Sequence, residues 1–243
     1  MLNLLKLEIY KLKYSKSFWL ISVVVILVEF IYIVKNGTIT GIKAFESSMY
    51  DVATMMIIGS IFAGLSIGTD FISRCINQEI TAGHSRGKIF LSKVIILFFA
   101  TEIIMLLYPI TSVIINTISN GWGEPFGIYT IFYILRTFLL RIIIDLSCIS
   151  LWVFFAFLFK DVARTMGVSI FIFIIGTGCL FTLSSKSELM KIIYNFTANN
   201  QARLIVNKMI TSTEVMSICI SNFIIISILL SLAYLTFRRA DLK

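Results

Sequence analysis

Ser66, Glu29, Glu102 and the run from Gly83 to Lys88 are the places where residue type and spacing could support chemistry in this 243-residue chain. Gly64-Leu65-Ser66-Ile67-Gly68 has the G-x-S-x-G spacing of a hydrolase nucleophile, which requires a strand–turn–helix elbow and a histidine partner. Here the motif lies inside an apolar run, and the only histidine, His84, falls in a polar segment. Ser60, Gly64 and Gly68 form a small-xxx-small series that lets helices approach closely, and helix packing is the stronger reading. Gly83-His84-Ser85-Arg86-Gly87-Lys88 approaches the phosphate-loop pattern G-x-x-x-x-G-K-[ST]. That pattern needs Gly at position 82 and Ser or Thr at 89, where the chain has Ala82 and Ile89, and no strand pattern precedes it. Nothing in this chain is equipped to hydrolyse ATP on its own, and no catalytic residue is assigned.

Glu29 and Glu102 are acids within apolar runs, where an ionisable group is costly and therefore a functional hypothesis. A proton or cation relay would call for more acids with partners; the plainer reading is a carboxyl that is neutral or paired with a neighbouring helix. Arg141 and Asp145 stand at i, i+4 and can neutralise each other. There is no H-E-x-x-H motif, and a single histidine excludes a multi-histidine metal site. Cys75, Cys148, Cys179 and Cys219 are scattered, mostly in apolar runs, with neither a disulfide framework nor metal-ligand spacing. No metal or cofactor is expected in the chain itself.

The elements that must position these residues follow from composition. The chain is 58% hydrophobic and only 14% charged, with mean hydropathy +0.95, against about 25% charged in an ordinary soluble domain. It is a polytopic membrane protein. A net charge of +8 fits basic loops meeting anionic headgroups better than it fits nucleic acid. Six apolar runs are long enough for helical spans, over residues 18–34, 52–69, 90–118, 142–159, 165–183 and 215–237. The first is expected to stay as an anchor, since Val34-Lys35-Asn36-Gly37 offers no small-residue cleavage site. Arg136, Arg141 and Asp145 complicate the fourth: either residues 128–141 form a separate interfacial helix, the preferred reading, or one tilted helix runs from 128 to 159.

With both termini in the cytosol, inner segments hold Lys6, Lys11, Lys13, Lys16, Arg74, Arg86, Lys88, Lys93, Lys160, Arg164, Arg238, Arg239 and Lys243. Outer loops hold Lys35, Lys43, Lys186, Lys191, Arg203 and Lys208, a bias of roughly two to one in the direction of the positive-inside rule. Residues 1–17 read as an interfacial helix with Leu2, Leu5, Ile9 and Leu12 on one stripe, Leu4 and Leu7 falling off it. In the outer segment 184–214, Ser185-Lys186-Ser187-Glu188 reads as a capping box ahead of an amphipathic helix. The polar segment 70–89 reads as a helix capped by Thr69 or Asp70, with Ile72, Ile76 and Ile80 on one edge and Gly83 ending it. Such a helix either docks into a groove on a soluble partner or rests as a headgroup-bound connector.

Asn77-Gln78-Glu79-Ile80, Gly83, Ser85-Arg86, Lys88-Ile89 and Leu91-Ser92-Lys93 resemble the motif that follows the second span in type-2 ABC exporter permeases. Arg74 stands one place earlier than the usual arginine, and Gly68-Thr69 matches the pair that commonly opens the segment. Leu4-Leu5-Lys6-Leu7-Glu8, with Tyr10-Lys11-Leu12 before Phe18-Trp19, is similar to the family's amphipathic start. The resemblance implies an all-α permease of six spans, residues 1–243 forming one transmembrane domain of a bacterial plasma-membrane exporter. It implies partners: separate ATPase subunits, which would bind ATP and Mg, and a second permease, identical or homologous. It further implies that Asp70, Arg74, Asn77, Glu79, Gly83, Ser85, Arg86 and Lys88 form the ATPase-coupling segment, with Lys160–Arg164 as a second contact. By analogy the substrate is an amphiphilic or antimicrobial peptide, in self-immunity or resistance. Export of a drug or ion past Glu29 and Glu102, a membrane enzyme using Ser66 or Glu102, and a non-transporting sensor are the alternatives. Arg136 and Arg141 inherit no role.

Overall fold

A run of apolar residues in lipid must satisfy its backbone internally, and this chain does so with helices. A computed structural model describes residues 1–240, so Lys243 lies outside the described residues. Its elements are α1 (Leu2–Lys13), α2 (Lys16–Asn36), α3 (Gly41–Tyr50), α4 (Ala53–Ala63), α5 (Thr69–Ile72), α6 (Cys75–Thr81), α7 (Arg86–Asn120), α8 (Ile128–Phe159), α9 (Val162–Phe171), α10 (Thr177–Ser184), α11 (Glu188–Asn195), α12 (Ala198–Ile205) and α13 (Ser212–Arg239). π-helical turns at Gly64–Gly68 and Ile172–Gly176 join α4 to α5 and α9 to α10. Lys16–Asn36, Arg86–Asn120, Ile128–Phe159, Val162–Ser184 and Ser212–Arg239 are each long and apolar enough to cross a bilayer. A sixth candidate, Met56–Ile72, bends by 56° into Cys75–Thr81.

Local chemistry sets the ends. Ser15 accepts a hydrogen bond from the Phe18 amide to start α2, and a reciprocal Thr211–Glu214 capping box starts α13. The main core lies between α2, α4, α7, α8 and α13, where Phe90, Phe157 and Phe237 meet with ring centroids 5.0 Å (Phe90–Phe157) and 5.1 Å (Phe157–Phe237) apart. A Cβ on Gly64 would lie 2.8 Å from Met166 Cγ, and one on Gly68 would lie 2.9 Å from Val162 Cγ2. These glycines let α9 press against the π turn; Ser60, a turn earlier, is buried with its hydroxyl donated to the Ile57 carbonyl.

Three expectations are corrected, and α1 adds an inward face that its leucine stripe leaves out. No separate interfacial helix covers 128–141: α8 is continuous from Ile128 to Phe159, because its arginines find backbone partners rather than lipid. In α1 the inward face carries Leu4 (2% exposed), Glu8 and Lys11, whereas Leu2 (74%) and Ile9 point away from the bundle. The helix of segment 70–89 begins at Cys75, not at Asp70, since Asp70 belongs to the last turn of the span. Finally, α11 starts after Ser187 with no side-chain cap, and the Ser185 hydroxyl instead donates to Thr182. Between the first two apolar runs, in the expected outer loop of Lys35 and Lys43, α3 packs Ile42, Phe45 and Met49 into a second small core.

Candidate functional site

The second span stops because its hydroxyls and one left-handed residue turn the chain. Ser73 donates to the Thr69 carbonyl at 2.7 Å, and Arg74 adopts φ 56°. Seven residues of α6 follow, and then Gly83 at φ 87°. The Gly83 amide donates to Ile80 and the His84 amide to Glu79, the paired bonds of a Schellman ending. Nothing lies within 4 Å of a Cβ built on Gly83, so backbone conformation rather than space asks for glycine there.

This geometry divides the segment into two faces. Ile76 is fully buried and Ile80 packs on the core, while Ile72 is 62% exposed, so the three do not form one apolar docking edge. Arg74, Gln78, Thr81, Ser85 and Lys88 face outward, and Asn77 is half-buried. Asp70 and Glu79 turn inward to a charge network with residues of α1 and α7. Lys93 Nζ donates to Glu8 Oε1 at 2.9 Å, to Glu79 Oε1 at 3.4 Å and, in a close contact, to Asp70 Oδ2. Lys11 Nζ donates to Glu8 Oε1 and Glu79 Oε1, both at 3.0 Å, and lies 3.7 Å from Asp70 Oδ2. Three carboxylates thus surround two ammonium groups. Burial works against the Lys11 charge, but the Asp70 and Glu8 carboxylates and the bonds to Glu79 and Glu8 outweigh it and hold its pKa above the ordinary lysine range. Its contribution to stability is therefore complete below the unfolded lysine value of about 10.4 and is lost only as pH rises beyond it.

Glu8, Lys11 and Lys93 were absent from the sequence-derived site. The signal was nonetheless there: a lysine a few residues into an apolar run must find an acid, and Glu8 and Lys11 stand at i, i+3.

Arg86 does something else. Its Nη1 donates to the Phe237, Arg238 and Ala240 carbonyls at 3.1, 2.7 and 2.8 Å, closing the C-terminus of α13. Two further arginines treat helix ends the same way. Arg136 donates to the Ile205 and Asn207 carbonyls after α12. Arg141 donates to the Met49 carbonyl at the end of α3 while its Nε lies 2.9 Å from both oxygens of Asp145. Glu102 lies within electrostatic reach of Asp145 and Arg141, yet both its oxygens are buried without a hydrogen-bond partner. Glu29 is buried near the opposite end of α2 and is not part of any of these clusters. The structure therefore does not bring Glu29 and Glu102 together, and no group of three or more His, Cys, Asp or Glu side chains arranged to hold a metal ion occurs among the described residues.

An inward-tied, bent helix thus follows the second of up to six candidate spans. Searched against curated proteins, the chain has no significant match. The family described as "ABC-2 family transporter protein" matches residues 4–176, from the first turn of α1 through the second π turn. With most of the chain covered and the whole molecule built of apolar helices, the chain belongs to the ABC-2 transporter family as a multi-pass membrane permease.

Proposed function

We propose that the chain is the membrane subunit of an ATP-driven exporter in a bacterial plasma membrane, coupling ATP hydrolysis by separate ATPase subunits to outward movement of an amphiphilic substrate, such as an antimicrobial peptide. The carrying observation is α6: a short helix set at 56° to its span and anchored through Glu79 to Lys11 and Lys93. A contact surface of this sort receives force without melting. The lysine and arginine bias supports a cytosolic position for α1, α6 and the end of α13. ATP and Mg would be bound by the partner ATPase, consistent with the incomplete phosphate-loop pattern at Gly83–Lys88. A second permease and membrane lipid would cover the apolar faces of Val162–Ser184 and Ser212–Arg239, which the chain itself leaves mostly open.

On this reading the side chains that touch the ATPase are the outward ones, Arg74, Gln78 and Lys88, while Asp70, Glu79 and Arg86 hold the surface in shape. The experiment is co-purification of the chain with its ATPase after Arg74→Glu and Lys88→Glu. The complex should be lost or its ATP turnover uncoupled, with the permease still monodisperse. Assembly and turnover equal to wild type would remove α6 from the docking surface.

A further inference from the structure

The end of the bundle opposite α1 contains a cavity of about 750 Å³ that none of the clusters above uses. Its walls come from α2, the α3–α4 junction, α7, α10, α11 and α12, and include Glu29, Asp51, Tyr32, Tyr108, Phe181 and Tyr194. Glu29 lies on the inward face of α2 between Val25 and Ile33, and is 1% exposed. The Tyr108 and Ser112 hydroxyls lie near its carboxyl. Its Oε2 nevertheless has no partner. An acid buried among apolar helices with one oxygen unanswered is costly unless something supplies the missing donor. Asp51, the second acid, has one oxygen occupied by the Thr54 amide. The cation among the lining residues is Arg203, an exposed side chain whose guanidinium rests 5.8 Å over the Tyr50 ring and donates to its hydroxyl. The cavity therefore carries two acids, is lined by tyrosine and phenylalanine rings of the kind whose faces attract cations, and has the size of a small-ligand site.

We propose that this cavity binds an amphiphilic cation, with the Glu29 carboxylate as counter-ion to an ammonium or onium head and the aromatic walls holding the apolar body. An anion of the same shape would face two carboxylates and should be refused. The proposal deepens the transporter reading by giving the substrate a sign and a seat, and rests on it only for the step of transport.

Binding can be measured on the full-length permease in lipid nanodiscs, without the ATPase, using two probes of equal shape and opposite charge, tetraphenylphosphonium and tetraphenylborate. Tetraphenylphosphonium should bind saturably and tetraphenylborate should not. Glu29→Gln should weaken phosphonium binding by at least about tenfold, as loss of a buried counter-ion does, while Glu124→Gln leaves it unchanged. Glu124 is an exposed acid paired with Lys208 outside the cavity. Should Glu29→Gln fail to fold, Gly178→Phe serves instead: Gly178 lines the cavity and a Cβ there meets nothing within 4 Å. Its ring should fill the space and abolish binding in a permease that still elutes as wild type. No saturable phosphonium binding, equal binding of the borate, or binding indifferent to both substitutions would overturn the proposal. Any of these could occur while Arg74→Glu and Lys88→Glu still break the ATPase complex, so the two readings fail separately.

Discussion

Lys93 is the residue on which the charge chemistry at the α1 end of the bundle turns. Its side chain is 2% exposed and contacts one carboxylate each from α1, α5 and α6, whereas Lys11, bonded to two of the same carboxylates, is 34% exposed. Exposure decides the energetics. Removing a buried charge strands its partners and costs about 3–5 kcal/mol, but a solvent-screened ion pair contributes about 1 kcal/mol or less. Lys93→Ala should therefore lower the unfolding free energy far more than Lys11→Ala, by several kcal/mol against about one. Thermal unfolding of the two purified variants in detergent checks the order, and equal midpoints would show that the network does not depend on Lys93. At this scale the motif residues were legible as a group, since Asn77 through Lys93 stand out from the apolar runs. Their directions were not. A helix period places Asp70, Glu79 and Arg86 on a segment, but only the positions of α1 and α13 decide that two of them face inward to lysines and the third to backbone carbonyls.

Among the elements, α8 departs most from its sequence reading. A run with Arg136, Arg141 and Asp145 reads as costly to place in a membrane, which favours an interfacial helix for its first part. The cost is lower than that reading implies, because both arginines find partners. In the fold, Arg141 meets Asp145 along its own helix and the end of α3 across from it, a partner that no apolar run in the sequence announces. The pair should behave as a unit. Arg141→Met alone leaves the fully buried Asp145 without its cation and should destabilise by about 3–5 kcal/mol, whereas Arg141→Met with Asp145→Leu should recover most of that loss. Denaturant unfolding followed by tryptophan fluorescence distinguishes the cases, and a double variant no better than the single would mean that α3, not Asp145, is what Arg141 serves. On α1 the residues that face the bundle are not those of the leucine stripe, because Glu8 reaches Lys93 and carries Leu4 inward with it.

For the whole molecule, the count of apolar runs was enough to give the class and the number of candidate spans, since length and hydropathy are intrinsic to each run. How the runs pack was not available from them. Within an 18-residue apolar stretch of each span, only 6% of the residues of Val162–Ser184 and 11% of those of Ser212–Arg239 are buried, against 56% in each of the two longest helices. A single chain therefore has a tight side and an open side. Orientation is a prediction at this scale: in a cysteine-free background, a cysteine at exposed Ser85 should react with a membrane-impermeant maleimide only from the cytosolic side, and one at Ser187 only from outside. Labelling with the sides reversed would invert the bundle and take α6 away from any cytosolic ATPase. If the orientation holds, the shared ammonium of Lys93 has a mechanical meaning. Because it grips α1, α5 and α6 at once from the first turns of α7, α6 cannot swing on its own without breaking several charge contacts together. What a push from below would shift is a plate of four helices, and the flexing would have to be taken up beyond its edge, at the π turn where the second span leans on α9.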